Sequence, residues 1–256
     1  MVESGPARLG ILALVGALTL PGGCHGDGET SPTIPTPVDG APRLGAHALA
    51  YYRMNYTPAG NASPISTPAM ATQPSGSTMV VSVGRGMISA FEPPGDNKGN
   101  GSYPQLGATH SYSLWRDSGT ALYAYPKATG GGGHVVRAST PSRDEITVAA
   151  VEVVNGSVIQ DSQWNEVPAG NPLTSRSVTA TGPALLVAFW WGDADGSEDQ
   201  TAEPNNGFLV TDSVLRAGEL VQCAVATRAV SAAGTYNVTW TATPRQGAQL
   251  WLVAVQ

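Results

Sequence analysis

Apolar and polar residues alternate along many short stretches of the chain, as they do in half-buried β-strands. In one such stretch Tyr236, Val238 and Trp240 occupy one parity, while Asn237 and Thr239 occupy the other. Turns rich in Gly, Pro and Asn separate these stretches, and no sustained apolar stripe of helical spacing follows residue 24. The pattern therefore predicts an all-β fold.

The predicted strands follow the same order twice. Residues 55–61 end in Pro-Ala-Gly-Asn, and the same four residues end the segment 165–171. We predict a turn in each copy, because Pro fixes φ while Gly and Asn tolerate positive φ. An apolar strand follows each turn, and the two strands align when Val81 is paired with Val187. Such self-similarity indicates a duplicated structural unit.

Two tandem β-sandwich repeats, jelly-roll-like, account for this duplication: we assign residues 47–155 to the first and 156–256 to the second. Closing strands such as residues 233–241 (AGTYNVTWT) resemble those of the small β-sandwich repeats of secreted bacterial surface proteins. The resemblance implies an extracellular module and names no activity, because this architecture hosts many functions.

The N-terminal segment, residues 1–24, carries targeting features. Arg8 precedes an apolar stretch, residues 9–20, that is too short to span a bilayer and suits a secretion signal. Residues 20–24 (LPGGC) resemble the lipobox of bacterial lipoproteins, although Pro21 stands where an aliphatic residue is usual. The resemblance implies that Cys24 is acylated and becomes the mature N-terminus. The protein would then be anchored in the bacterial cell envelope, periplasmic or surface-exposed.

Residues 25–46 are rich in Pro, Gly, Ser and Thr, and we interpret them as a flexible tether. The only other cysteine, Cys223, lies in an apolar run and is predicted to be a buried free thiol. The net charge of −6 and the absence of a basic run exclude a cationic footprint for nucleic acid.

Carboxylates cluster in residues 193–199 (DADGSED). Ca²⁺ prefers oxygen ligands from such loops, so Asp193, Asp195 and Asp199 are candidate metal ligands, with Ca²⁺ as the possible cofactor. The loop lacks the spacing of an EF-hand, and a solvated acidic loop is the simpler interpretation.

Trp190 and Trp191 are adjacent and must point to opposite faces of a strand. One belongs to the core, and the other packs between the sandwiches or offers its face to a sugar. We list both as candidate binding residues, with interdomain packing the favoured role.

His110 and Tyr112 share one strand face, with His134 and Arg137 on a neighbouring segment. Such a group could serve a polysaccharide lyase, where Arg neutralises a uronate carboxylate while His or Tyr moves protons. Polar residues on a half-exposed strand are the simpler interpretation. The sequence has no Gly-x-Ser-x-Gly elbow and no His-Glu-x-x-His motif.

Three hypotheses follow. The leading one is a lipid-anchored binding or structural module for a glycan or a surface protein. The second is a small extracellular carbohydrate-active enzyme, and the third is a Ca²⁺-stabilised surface scaffold.

The lipid anchor gives the first prediction. Expression in a lipoprotein-processing bacterium fed labelled palmitate should label the protein, whereas Cys24→Ser should abolish the label because it removes the acceptor thiol. Label retained in the variant would overturn the assignment, and Cys223→Ser is the matched control.

Overall fold

The computed structural model describes residues 40–90, 92–194, 197–218 and 220–256. Within these ranges the regular structure is β-strand, apart from the short 3-10 helix Ile88–Ala90. The predicted all-β fold of sandwiched sheets is confirmed. The described residues contain no helix that is long and apolar enough to cross a membrane.

Eight strands precede residue 155: β1 (Arg43–Tyr52), β2 (Ile65–Ser66), β3 (Ser77–Arg85), β4 (Gly95–Asp96), β5 (Gln105–Ser111), β6 (Gly119–Ala128), β7 (Val136–Ala138) and β8 (Ile146–Val154). We call this part the first half.

Ten strands follow: β9 (Ile159–Gly170), β10 (Leu173–Thr174), β11 (Val178–Ala180), β12 (Ala184–Gly192), β13 (Thr201–Pro204), β14 (Leu209–Val214), β15 (Cys223–Val230), β16 (Gly234–Tyr236), β17 (Thr239–Thr243) and β18 (Gln246–Val255). We call this part the second half.

Each half contains one large antiparallel sheet of five strands. The order is β1-β8-β3-β6-β5 in the first half and β9-β18-β12-β15-β14 in the second. A three-stranded sheet accompanies each, β2-β7-β4 and β10-β17-β13, and the second half adds the ribbon β11-β16. The same connections thus recur in both halves.

The central strands are apolar on both faces because both faces of each large sheet are covered. β3 and β12 are buried almost throughout, whereas the edge strands β1 and β9 are only half-buried. Outer faces pack against the small sheet of the same half, as Val81 does with Ile65 and Leu186 with Trp240.

The inner faces of the two large sheets pack on each other and form a third apolar cluster. It joins Val80 and Leu122 of the first half to Leu185, Val187 and Val253 of the second. Each half therefore has an apolar cluster of its own, and the two halves share a third.

Trp191 and Gly84 show how closely the inner faces fit. A Cβ atom at Gly84 would lie 2.5 Å from the Trp191 ring, so only glycine leaves room for the indole. The indole N–H donates to the Ser82 hydroxyl at 3.1 Å. Trp251 donates in the same way to Thr120 at 2.8 Å, so buried polar groups also cross this interface.

Two details of the sequence alignment differ from the structure. The predicted turn forms in the first copy, where Gly60 donates to the carbonyl of Thr57 at 3.1 Å. In the second copy, Pro168 and Gly170 continue the edge strand β9, where a missing N–H is tolerated. The pairing of Val81 with Val187 is wrong by one residue, because Val81 faces outward and Val187 faces the shared core.

A shared core predicts a single cooperative unfolding transition. Leu122→Ala, which removes a fully buried inner-face side chain, should lower the free energy of unfolding by about 2–5 kcal/mol. Chemical denaturation followed by circular dichroism and by tryptophan fluorescence should give coincident curves.

The control is Leu209→Ala, because Leu209 is 73% exposed and its truncation should change stability by less than about 0.5 kcal/mol. Two separate unfolding transitions, of which Leu122→Ala shifts only the one that belongs to the first half, would contradict a shared core.

Candidate functional site

A cleft of about 190 Å³ opens at one end of the interface between the halves. Both halves line it, with Met54, Tyr112, Trp115, Ser118, Glu145, Gly192, Asp193, Ala194, Leu220 and Val221. These residues come from connections and strand ends, where side chains are free to serve a ligand.

The hairpin between β5 and β6 carries Trp115 to the mouth of the cleft. Tyr112 donates its N–H to the carbonyl of Ser118, and Ser118 donates its own to Trp115, so the turn is closed by its backbone. The Trp115 indole N–H donates to the backbone carbonyl of Asp193 at 2.6 Å. This bond joins the two halves across the cleft and leaves the ring 47% exposed.

Asp193 follows the last residue of β12, and its side chain is only 3% exposed. Its Oδ2 receives no hydrogen bond from any described residue. Burial, together with the negative charge of Glu166, raises the pKa of Asp193 to about 6. A carboxylate held in this way is costly to the fold, and such groups concentrate at functional sites.

The surroundings of Asp193 are acidic. Glu145 lines the same cleft, and Glu166 on β9 accepts hydrogen bonds from the backbone and hydroxyl of Ser113 at 2.7 and 2.6 Å. Tyr112 is 3% exposed, and no described residue bonds to its hydroxyl, whose pKa is raised by burial and then by Asp193.

Lysine and arginine are missing from the residues that line the cleft. Arg53, next to Met54 in the chain, donates to the carbonyl of Ala217 at 3.3 Å. Arg85 forms a buried ion pair with Asp144, with 3.5 Å between Nε and Oδ2. The described residues that line the cleft therefore include the carboxyl groups of Asp193 and Glu145 and no basic side chain.

Large exposed apolar side chains occur in and beside the segments that line the cleft. Met54 and Trp115 line the cleft itself, and Leu114 precedes Trp115 in the hairpin. The Tyr56 hydroxyl lies 3.0 Å from the Met54 sulfur, and the Met87 N–H donates to Asp144, the neighbour of Glu145. All five are exposed. We call these five residues the apolar rim.

The four residues considered for a lyase do not come together. His110 stacks on Trp164 of the other half, with ring centroids 3.6 Å apart and planes 4° apart. Burial lowers the pKa of His110. Tyr112 lines the cleft, whereas Arg137 lies exposed on β7 in the outer small sheet.

His134 is fully buried beside that small sheet. Its Nε2 lies 3.1 Å from Asp96 Oδ2, and its Nδ1 lies 3.0 Å from the Thr72 hydroxyl. A hydroxyl–imidazole–carboxylate series resembles a nucleophile with its base, yet the Thr72 oxygen already accepts the Gly131 N–H at 3.0 Å. We assign this group to the stability of the small sheet.

Asp96 is the hub of that group. It accepts hydrogen bonds from Asn100 Nδ2 at 2.5 Å, the Tyr103 hydroxyl at 2.6 Å and the Lys98 N–H at 2.8 Å. Burial acts to raise the pKa of Asp96, but these hydrogen bonds outweigh it and hold the pKa below its usual value.

Trp190 and Trp191 point to opposite faces of β12, and both are fully buried, one in the outer cluster of the second half and one in the shared core. Neither ring faces solvent, so the exposed indole that a ligand can reach at the cleft is that of Trp115.

The three proposed calcium ligands are not assembled by the described residues. Asp193 is buried in the cleft, Asp199 is exposed and accepts the Ala217 N–H at 2.5 Å, and Asp195 lies outside the described residues. Among the residues that the structure describes, no group of three His, Cys, Asp or Glu is placed to hold a metal ion. Cys24 also lies outside these residues.

Trp115 was not among the candidate residues of the sequence analysis. The available signal was local: Leu114 and Trp115 stand together in a turn, residues 113–118, whose other residues are Ser, Arg and Asp. Contiguous exposed apolar surface marks interaction sites.

Opposite pKa shifts predict opposite effects of two isosteric substitutions. The folded-state pKa of Asp193 is raised, so wild-type stability falls as the pH rises from about 4 to 6 and stays lower above that range. Asp193→Asn should therefore increase the free energy of unfolding at pH 7 by about 2 kcal/mol and remove this pH dependence.

Asp96→Asn is the matched variant. The folded-state pKa of Asp96 is lowered, so its carboxylate stabilises the fold at pH values above the unfolded-state pKa of about 3.9. This stabilisation is lost as the pH falls through the folded-state pKa. This variant should lower the free energy of unfolding at pH 7, and the decrease should become smaller at acidic pH. Denaturant titration at pH 7 measures both effects: destabilisation by Asp193→Asn would refute the Asp193 assignment, and stabilisation by Asp96→Asn would refute the Asp96 assignment.

No family model matches the chain, and neither a curated protein nor a solved structure matches it. The geometry of the cleft is therefore the basis on which a function can be inferred. Its main elements are the half-exposed Trp115, the buried carboxylate of Asp193 and the apolar rim.

Proposed function

We propose that this protein is a lipid-anchored module of the bacterial cell envelope that binds a partner protein through the cleft and its apolar rim. The observation that carries the proposal is the half-exposed Trp115 beside the buried Asp193 carboxylate, whose Oδ2 no described residue bonds. Binding sites pair aromatic anchors with a few buried polar groups in this way.

The positions of the candidate catalytic residues favour a binding function over a catalytic one. His110 packs between the halves and His134 is enclosed beside the outer small sheet. Neither imidazole lines the cleft, and Arg137 is on the far side of the large sheet from the shared core. These positions give no support to a lyase built from those residues.

A protein partner is favoured over a glycan by the composition of the rim. Met, Tyr and Trp are enriched in protein interfaces, and two of the five rim residues are methionines. A sugar requires several convergent hydrogen-bonding groups around its stacking platform. Next to Trp115, the exposed residues are Leu114 and the polar Ser113, Arg116 and Asp117. The preference for a protein partner therefore rests on the methionine and aromatic residues of the rim.

The cleft lies at the far end of β1 from the point where this strand begins. The chain enters β1 at Arg43, within the last residues of the proposed tether (25–46), and Met54 lies just beyond the other end of the strand. A strand of this length spans roughly 30 Å.

The recurring strand order supports descent of both halves from one duplicated unit, with 47–155 and 156–256 as its copies. On this view the second copy added the bulky Trp191, and the interface between the copies produced the cleft. A Ca²⁺-stabilised scaffold stays a prediction that no described contact favours.

Peptide selection tests the proposed function. Full-length protein should enrich a family of peptides from a random phage-displayed library, because the rim offers apolar contact around a small polar cleft. Retention of these peptides should fall at least tenfold on the Leu114→Ser/Trp115→Ala variant, as measured by phage binding to immobilised protein.

Leu209→Ser is the matched control, since it removes an exposed leucine on β14 and should leave retention unchanged. A glycan array is probed in parallel. Equal peptide retention on the rim variant, or Trp115-dependent binding of glycans alone, would rule out a protein-binding cleft.

A further inference from the structure

The cleft is the size of one projecting group. At about 190 Å³ it is smaller than the roughly 300–1,000 Å³ of pockets that enclose whole small-molecule ligands. A single side chain entering from a partner is of suitable size, while the rest of the partner would cover the rim.

Charge defines which side chain the cleft suits. Asp193 and Tyr112 are both buried. No described residue forms a hydrogen bond with Oδ2 of Asp193 or with the hydroxyl of Tyr112. Glu145 lines the cleft, and Glu166 acts on Asp193 through its negative charge. Backbone hydrogen bonds of Gly247 and Asp193 act to lower the pKa of this carboxyl, so the oxygen left without a donor is Oδ2. A buried carboxylate oxygen without a donor is unfavourable, and a cationic donor relieves that cost most effectively.

The walls suit the rest of a long basic side chain. Lysine and arginine pack an aliphatic stem against apolar surface while the charged head reaches a polar partner. Met54 and Leu220 offer such surface inside the cleft, and the half-exposed face of Trp115 offers a cation–π contact at its mouth.

Resting on the protein-binding function above, we propose that the partner inserts one arginine or lysine side chain into the cleft, with its charged group on Asp193 and its stem against Trp115 and Met54. The acidic cleft would then fix which segment of the partner binds, and the apolar rim would add contact area around it. Loss of this pairing should cost more than loss of any rim contact.

A titration with isolated side-chain analogues tests the proposal directly. Full-length protein carrying ¹⁵N-tryptophan is titrated with Nα-acetyl-arginine amide and Nα-acetyl-lysine amide, and the Trp115 indole resonance is followed. At least one of the two basic analogues should shift this resonance saturably in the millimolar range. Nα-acetyl-citrulline amide, the neutral analogue of arginine, should bind at least tenfold more weakly, and NaCl at equal ionic strength should give no saturable shift.

Two variants separate a role in binding from a general effect of charge. Asp193→Asn should weaken binding of the basic analogue at least tenfold, whereas Glu203→Gln, which removes one exposed charge on β13, should leave it unchanged. Lowering the pH through about 6 should weaken wild-type binding, because Asp193 then becomes protonated. Glu145, Glu166 and Tyr112 also face this region, so the Asp193→Asn variant should lose most of the pH dependence in that range.

Equal binding of citrulline and arginine analogues, or no saturable shift with either basic analogue, would overturn the proposal. The peptide selection distinguishes this failure from failure of the protein-binding function. Selected peptides that depend on Trp115 yet share no basic position would leave the function standing and refute the inserted cation. Selection of no Trp115-dependent peptide would refute the function itself.

Discussion

Close packing between the inner faces of the two large sheets determines the rest of this structure. Trp191 fits over Gly84, and Trp251 reaches across to Thr120, so each half completes the core of the other. Coverage of both faces explains why β3 and β12 are buried almost throughout and why β12 is almost continuously apolar. The cleft lies at the end of this interface, so its geometry depends on the same packing.

The sequence predicted the features that depend on local patterning. The alternation from Tyr236 to Trp240 predicted one half-buried strand; the structure divides this segment between β16 and β17 in different sheets but buries Val238 and Trp240. The adjacency of Trp190 and Trp191 required opposite faces, as observed. The predictions of facing succeeded because the two-residue period of a strand links sequence position to facing directly. Cys223 is likewise buried without a disulfide partner among the described residues, and burial raises the pKa of its thiol.

Features that depend on contacts between distant segments could not be predicted in the same way. Alignment paired Val81 with Val187, but the structure places Val81 in the outer cluster of the first half and Val187 in the shared core. His110 looks like a surface group from its own strand, and its stacking partner Trp164 belongs to the other half. Asp193 was identified as an acidic-loop residue, whereas the structure buries it in the cleft, where its backbone carbonyl accepts the Trp115 indole N–H.

The central claim is that the two halves form one folded unit around a shared core, and native-state hydrogen exchange tests it most directly. The account predicts that the slowest amides of β3 and β12 exchange with the same free energy, equal to that of global unfolding. Slow amides in β12 that keep their protection while those of β3 exchange through a lower-energy opening would contradict it, because the halves would then unfold independently.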